Sequence, residues 1–444
     1  MRRYAPRVSC LCLLCLLVFS ACGITKVGTI PRGTPDTGNG TPAVIITPTP
    51  DLSKVPQAPA SATGATYAFV RENQLWIAKS GGKAVQVSNF DFTKLPNVFW
   101  HRPLWSSNDR GLAFIVSAQP TGVGGGGCGS PEIGASGALY VMDTQTKQAM
   151  VLSIGGARVA ATQGQPATDA WQAAFWEDTT HLLAWYNGDA GKASATAGLY
   201  RYNFMTHELK MVVPLKSFGD VLLSSLPGVN APLLLSLRYS SGQLFYQVVV
   251  HPFEQKSQLV VYRHSVVHPE IASSQVISQG YEPWCSATQP GAYSLPGWDI
   301  SPDGEQLVAQ MILSGASGQG VAAVETTDLK DASTTNLFTQ LDPDLLSHDL
   351  ALTWSPDSQV VVAAEAHPIT QRGPFSASLA NPGTMQQYSP TLSGQLAWRS
   401  DGSAFALQRS GIAGDTQPPA VYLFLSGDAH GRLLLTDAQE FSWG

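Results

Sequence analysis

Trp354-Ser355-Pro356-Asp357, followed at once by Val360-Val361-Val362, decides how this chain folds, because the pattern returns. Trp398-Arg399-Ser400-Asp401-Gly402 leads into Phe405-Ala406-Leu407, and Ile300-Ser301-Pro302-Asp303-Gly304 leads into Leu307-Val308-Ala309. Trp105-Ser106-Ser107-Asn108 leads into Leu112-Ala113-Phe114. Each copy reads as a strand, a tight turn and a second strand, and self-similarity of this kind signals a repeat architecture. The first repeat lacks its opening strand and starts at Tyr67-Ala68-Phe69, while the chain stops on Phe441-Ser442-Trp443-Gly444, an opening strand with nothing after it. Joining the two closes a ring.

Composition agrees with a turn-rich β protein. Of 444 residues only 13% are charged, against 42 Gly and 30 Pro. The net charge of −6 and the absence of a basic run argue against a nucleic-acid partner. Short apolar runs separated by turn residues fill the chain after residue 63, with no sustained helical period.

Counting those runs gives seven blades of four strands. The first holds Tyr67–Val70, Gln74–Ile77 and Ala84–Val87, and the second runs from Trp105 to Leu152. The third opens at Phe175 and ends at Val213. The fourth is degenerate, with Val221–Leu223, Leu233–Leu235, Leu244–Gln247 and Leu259–Val261 as its strands; six blades is the alternative if it is misread. The last three open at Ile300, Trp354 and Trp398. The C-terminal strand is expected to pair into the first blade and close the ring. These units resemble the WD-repeat-like blades of TolB-type β-propellers, whose pattern is Trp-Ser-Pro-Asp-Gly, then Leu-Ala-Phe, then Leu-Tyr-Val. The resemblance covers nearly all of residues 64–444 and implies an all-β propeller. It implies no single function, since such propellers host many.

The amino terminus reads as an export signal. Arg2, Arg3 and Arg7 precede the apolar stretch Val8–Phe19, and small residues follow. Phe19-Ser20-Ala21-Cys22-Gly23 resembles a bacterial lipobox, which implies cleavage after residue 21 and acylation of Cys22; simple cleavage near Ala21 is the alternative. The stretch is too short for a membrane span, and no other apolar run reaches ~20 residues. Residues 22–63 are rich in Thr, Pro and Gly and bury too little apolar surface to fold, so they read as a disordered tether reaching on the order of 100 Å when extended. The expected location is the outer side of a bacterial membrane, with the membrane engaged through the N-terminal lipid.

With Cys10, Cys12 and Cys15 removed and Cys22 lipidated, Cys128 and Cys285 remain, and an oxidising compartment suits a disulfide between them. Two unpaired loop cysteines are the alternative. Both fall in long insertions assigned to one face of the ring: Ala118–Gly137, Asn187–Gly198, Arg263–Gly297, His367–Pro374 and Ser410–Pro419. Long loops on a rigid scaffold are where binding function concentrates.

Candidates for chemistry are few. His101, His264, His268, His367 and Glu282 lie in or near those insertions but lack the close spacing of metal motifs, so no metal or cofactor is expected. Trp284, Tyr281 and Trp100 could stack on a sugar or a partner, or simply pack. Trp105, Trp354 and Trp398 read as inner-strand core or channel lining, and Asp303, Asp357 and Asp401 as acceptors for their own turns. No Gly-x-Ser-x-Gly elbow and no α/β block follow the propeller. Gly122–Gly129 lacks the Lys-Ser/Thr of a phosphate loop. The residues therefore point to a non-enzymatic module that binds a protein of the cell envelope. A glycan or cell-wall sensor is the alternative, and a propeller glycan hydrolase or lyase would need a carboxylate pair that cannot be assigned.

Overall fold

The computed structural model describes residues 56–58, 65–79, 82–90, 98–118, 137–159, 171–188, 193–218, 233–250, 258–280, 297–314, 320–341, 350–365, 374–390, 392–409 and 418–444. These form seven antiparallel sheets arranged as a β-propeller. Among the described residues the structure is all-β apart from single turns of helix at Ala193–Thr196 and Leu215–Phe218.

Five blades follow one plan, an inner strand followed by three more stepping outward. In blade 6 these are Leu350–Trp354, Val360–Glu365, Phe375–Ser378 and Gln386–Gln387. Blades 3, 4, 5 and 7 open with Trp171–Trp176, Leu233–Ser240, Trp298–Ile300 and Gly394–Trp398. Blade 2 departs from the plan at both edges. Its inner strand is split into Val98–Trp100 and Leu104–Trp105, and Gly156–Val159 adds a strand outside Gln148–Ser153.

Blade 1 closes the ring as the repeat pattern requires. Its inner strand is Gln439–Trp443, paired antiparallel with Tyr67–Arg71 through Tyr67↔Trp443, Ala68↔Ser442 and Val70↔Gln439. The packing says the same. Seven apolar clusters each lie between consecutive blades, and the last sets Tyr67, Phe69 and Phe441 of blade 1 against Ala406, Val421 and Leu423 of blade 7. Period-2 alternation produces this directly. In the second strand of blade 2, Leu112, Phe114 and Val116 pack toward blade 1, while Ala113 and Ile115 pack toward blade 3. Both sheet faces are thus covered, which a lone blade could not manage.

Blade 4 differs from the sequence reading. It opens at Leu233–Ser240, and its outer strand is Ser274–Gly280, a mostly polar stretch whose apolar residues are Val276 and Ile277. Val221–Leu223, assigned above to the opening strand, lies outside the described residues. The crossing to blade 5 is therefore shorter than Arg263–Gly297. Three residues assigned to the tether also belong to the domain. Gln57 pairs in parallel with Leu433 on the outer strand of blade 7, Arg432–Thr436. The Ala58 N–H donates to the Leu433 carbonyl at 2.9 Å, and the Leu433 N–H donates to Pro56 at the same distance.

Candidate functional site

The two ends of the ring are built differently. One end carries the turns between first and second strands and between third and fourth strands. The Ser-x-Asp residues shape the first kind. In blade 6 the Ser355 hydroxyl donates to Asp357 Oδ1 at 2.5 Å, the Gln359 N–H donates to the same oxygen, and the Val360 N–H donates to Ser355 Oγ at 2.9 Å. Ser301 and Asp303 repeat this in blade 5, and Ser106 with Asn108 in blade 2. In blade 7, Asp401 accepts from the Ser403 N–H. These acids serve their own turns, as expected from the sequence.

The second kind of turn is tied down onto the first. The N–H groups of Thr144, Phe204, Val266, Leu329, Leu379 and Ser426 donate to Arg110, Thr180, Gly242, Glu305, Gln359 and Ser403 respectively, at 2.7–3.0 Å. This end, the turn end, is a closed set of short turns. The second-to-third connections leave from the opposite end, and so do the blade crossings, except the one after blade 2, whose added strand Gly156–Val159 runs back toward the turn end. Three long segments of the chain between blade strands, 119–136, 219–232 and 281–296, join strand ends there.

Charged side chains gather on the inner strands. Arg102 sits in the break between the two inner segments of blade 2 and reaches across to blade 7. Its Nη1 donates to the Leu396 carbonyl at 2.6 Å and its Nη2 to Gln395 Oε1 at 3.1 Å. Burial pulls its guanidinium below the ordinary value, a shift that Glu440 of blade 1 opposes and Arg238 of blade 4 and Asp299 of blade 5 also modulate. Arg238 donates through Nε to Asp299 Oδ1 at 3.1 Å and lies 5.4 Å over the Trp298 ring. Burial pushes the Asp299 carboxyl up, against the pull of Arg238 and of the Ile300 and Trp354 N–H groups. Two cations, two carboxylates and an amide thus line the axis of the ring. Of these, Arg238 and Asp299 form a direct ion pair. Asp299 is committed to three donors, a positioning role and not that of a free acid.

Buried amides fix the height of neighbouring blades. Gln310, on the second strand of blade 5, accepts the Leu350 N–H from blade 6 at 3.1 Å and its own blade's Gly297 N–H at 3.3 Å. Gln408 of blade 7 accepts the Phe441 N–H of blade 1 at 2.8 Å. In blade 4, Gln247 accepts from Ser236, whose oxygen accepts the Trp298 indole N–H from blade 5 at 2.8 Å. The blade openings that line the channel therefore cannot slide independently.

The candidates from the sequence separate into three groups. Tyr281, Glu282, Trp284, Cys285, Cys128, His367 and Cys22 lie outside the described residues, and so does the expected Cys128–Cys285 bond. His264 and His268 belong to the turn end, not to the end with the long connections. His264 is in the third strand of blade 4, Gln258–Ser265, 1% exposed, with its ring 4.4 Å from Phe218 and Nδ1 3.0 Å from Ser273 Oγ. His268 follows in the turn after it, paired with Glu270 at 3.4 Å. The reason is the shift in blade 4: a strand stands where a crossing was read. His101, next to Arg102, does lie by the inner strand of blade 2, and burial lowers its pKa. Trp100 is core, 5.4 Å from Phe114 and 6.0 Å from Phe90. Trp354 is buried, and Trp105 and Trp398 are half-buried on inner strands.

Arg102, Arg238, Asp299 and Glu440 were not singled out from the sequence. The available signal was positional: each lies one to three residues before the last residue of its inner strand, Trp105, Ser240, Ile300 or Trp443. Among the described residues no three His, Cys, Asp or Glu side chains are placed to hold a metal, and no helix is long and apolar enough to cross a membrane.

No protein-family model matches the chain, and no curated protein does. Solved structures do. TolB from Acinetobacter baumannii aligns at 14% identity over 85% of this chain and 66% of its own, with a TM-score of 0.38. An oligogalacturonate lyase from Vibrio parahaemolyticus aligns at 10% over 84% and 86%, with a TM-score of 0.46. Prolyl oligopeptidase B from Galerina marginata aligns at 14% over 86% and 52%, with a TM-score of 0.47. The chain thus spans about two thirds of the TolB chain and about half of the oligopeptidase. The protein is a seven-bladed β-propeller, and TolB structures are among those it resembles.

Proposed function

We propose that this propeller is a lipid-anchored, extracytoplasmic binding module, without catalytic activity, that holds a protein partner of the cell envelope at the end carrying its long connections. One observation carries the reading: the asymmetry of the two ends. Hydrogen-bonded short turns occupy one end, while the other receives every second-to-third connection and every blade crossing but the one that follows the added strand of blade 2. A rigid ring with its variable segments on one side is the arrangement in which loops specify a partner. The inner-strand carboxylate Asp299 is held by Arg238 and two backbone N–H groups, which supports a positioning role for it over a catalytic one. The lipobox-like Phe19-Ser20-Ala21-Cys22 and the Thr/Pro-rich stretch after it support the anchor.

The test is chemical cross-linking in intact cells followed by mass spectrometry, run beside a variant with residues 119–136 shortened to a Gly-Ser link. A discrete partner that disappears in the variant supports the reading. Identical partners in both, or none in either, contradict it. Turnover of a glycan or peptide substrate by the purified chain would contradict the non-enzymatic part independently.

A further inference from the structure

Blades 6 and 7 leave a cavity of about 300 Å³ between them at the turn end. Its origin is local. The outer strand of blade 6 is only Gln386–Gln387, and the chain then enters the seam at Tyr388, whose N–H donates to the Pro374 carbonyl at 3.0 Å. The Tyr388 ring sits 5.1 Å from Phe405 of blade 7, and Phe405 lies 5.4 Å from Trp398. These three rings form an aromatic floor. Tyr388 and Phe405 are buried, and Trp398, which is half-buried, is the one with surface left.

The rim comes from two turns, 379–385 of blade 6 and Ser426-Gly427 of blade 7. The first is held on three sides: the Leu379 N–H donates to Gln359, the Thr384 N–H to Asn381, and the Gly383 N–H to Leu337 of blade 5, at 3.0–3.2 Å. Gly427 has a φ of 80°, and a Cβ built there would meet nothing within 4 Å, so the mouth is open on that side. Asn381, Thr384, Gln386 and Ser426 stand exposed on this rim, and among the described residues their side chains have no hydrogen-bond partner. The hydroxyls deeper in are committed. Ser376 Oγ is 3.0 Å from the Tyr388 hydroxyl, and Ser378 Oγ accepts the Ala380 N–H at 3.2 Å.

No side chain lining this cavity carries a charge. A phosphate, carboxylate or ammonium group entering it would lose water without gaining a counterion. Amides and hydroxyls both donate and accept, and here they ring an aromatic floor. That set matches a ligand with an apolar face and an edge of neutral hydroxyls, as a pyranose ring has, its C–H groups packing on Trp398. The volume is at the small end of ligand pockets, which run roughly 300–1,000 Å³, and so admits a chain end rather than a long stretch of polymer.

We propose that the seam between blades 6 and 7 is a saccharide site that takes the end of an uncharged glycan. Trp398 supplies the apolar contact, and Asn381, Thr384, Gln386 and Ser426 bond its hydroxyls. The site lies at the end opposite the long connections, and neither needs nor excludes the protein partner proposed there.

The test is calorimetric titration of the detergent-solubilised full chain with maltotriose, cellotriose, mannotriose and chitotriose, and with trigalacturonate as the charged comparison. The expected result is saturable binding of at least one neutral trisaccharide, with trigalacturonate unable to compete. Asn381→Ala and Gln386→Ala, both exposed, should each weaken that binding roughly three- to tenfold, the loss of about one hydrogen bond. Ser426→Trp should block the mouth and abolish it, while Met205→Ala, on the corresponding turn of blade 3, should leave it unchanged. Thermal unfolding of each variant checks that the ring is intact. Absence of binding by all four neutral probes, binding of trigalacturonate alone, or equal binding in the parent and all the folded rim variants overturns the proposal.

Discussion

Replacing Phe441 by Ala perturbs the ring where its two chain ends meet. Phe441 is 1% exposed, with its ring 5.5 Å from Tyr67 and 4.8 Å from Trp443, and its N–H held by Gln408 of blade 7. It thus joins both halves of blade 1 to the next blade. Truncating a buried Phe to Ala costs about 3–5 kcal/mol, the transfer term plus the cavity left behind. That is a large share of a total stability of roughly 5–15 kcal/mol. Unfolding entropy of ~2.1 cal/mol/K per residue gives ~0.8 kcal/mol/K for a domain on the order of 380 residues, so Tm should fall by roughly 4–6 °C. Scanning calorimetry reads this directly, with Met205→Ala as an exposed control expected within about 0.5 kcal/mol of the parent. A Phe441→Ala protein that melts with the parent would refute the closure argument, because the last strand would then contribute nothing to the ring.

Three further outcomes follow from the same geometry. Gln310→Leu strands the Leu350 and Gly297 N–H groups, so denaturant titration should show a loss of about 1–3 kcal/mol, and no loss would mean that these donors find other partners. Burial holds His264 below its ordinary value of 6.5, so the unfolded chain binds more protons; its contribution is full above that pH and lost as the pH falls below it. Tm measured from neutral pH down should therefore decline less steeply in His264→Gln than in the parent, with residual slope from His101, which shifts the same way. Ser355→Ala removes the acceptor for the Val360 N–H in the blade 6 turn and should cost about 1 kcal/mol by the same titration, whereas Ser400→Ala, at an exposed position, should cost nothing measurable.

The fold was legible because its signal is local and repeated. Trp354-Ser355-Pro356-Asp357 states a turn through its own hydrogen-bonding residues, and the copies fall in phase. Ring closure was legible from the unmatched strands at Tyr67 and Phe441. Blade 4 was not, because its inner strand precedes a Ser241-Gly242 turn without Pro or Asp, and its outer strand, Ser274–Gly280, carries only Val276-Ile277 among polar residues and Gly. Outer strands have a neighbour on one side only and need no apolar pattern, so periodicity is silent there. That silence put His264 and His268 on the wrong end. The inner-strand charges were hidden differently. Arg238 and Asp299 are ordinary residues in sequence, and only the ring brings blades 4 and 5 close enough for their 3.1 Å contact. Pro56–Ala58 was read as tether because Pro and Ala promise no strand; Leu433 supplies the edge that orders them.

The central claim is that partner binding belongs to the end with the long connections. Photo-cross-linking in living cells tests it most directly, with a photoreactive residue placed at Phe99 on that end and, separately, at Lys330 on the turn end. The account predicts a discrete protein adduct from position 99 and none from 330. An adduct from 330 with none from 99 would contradict it.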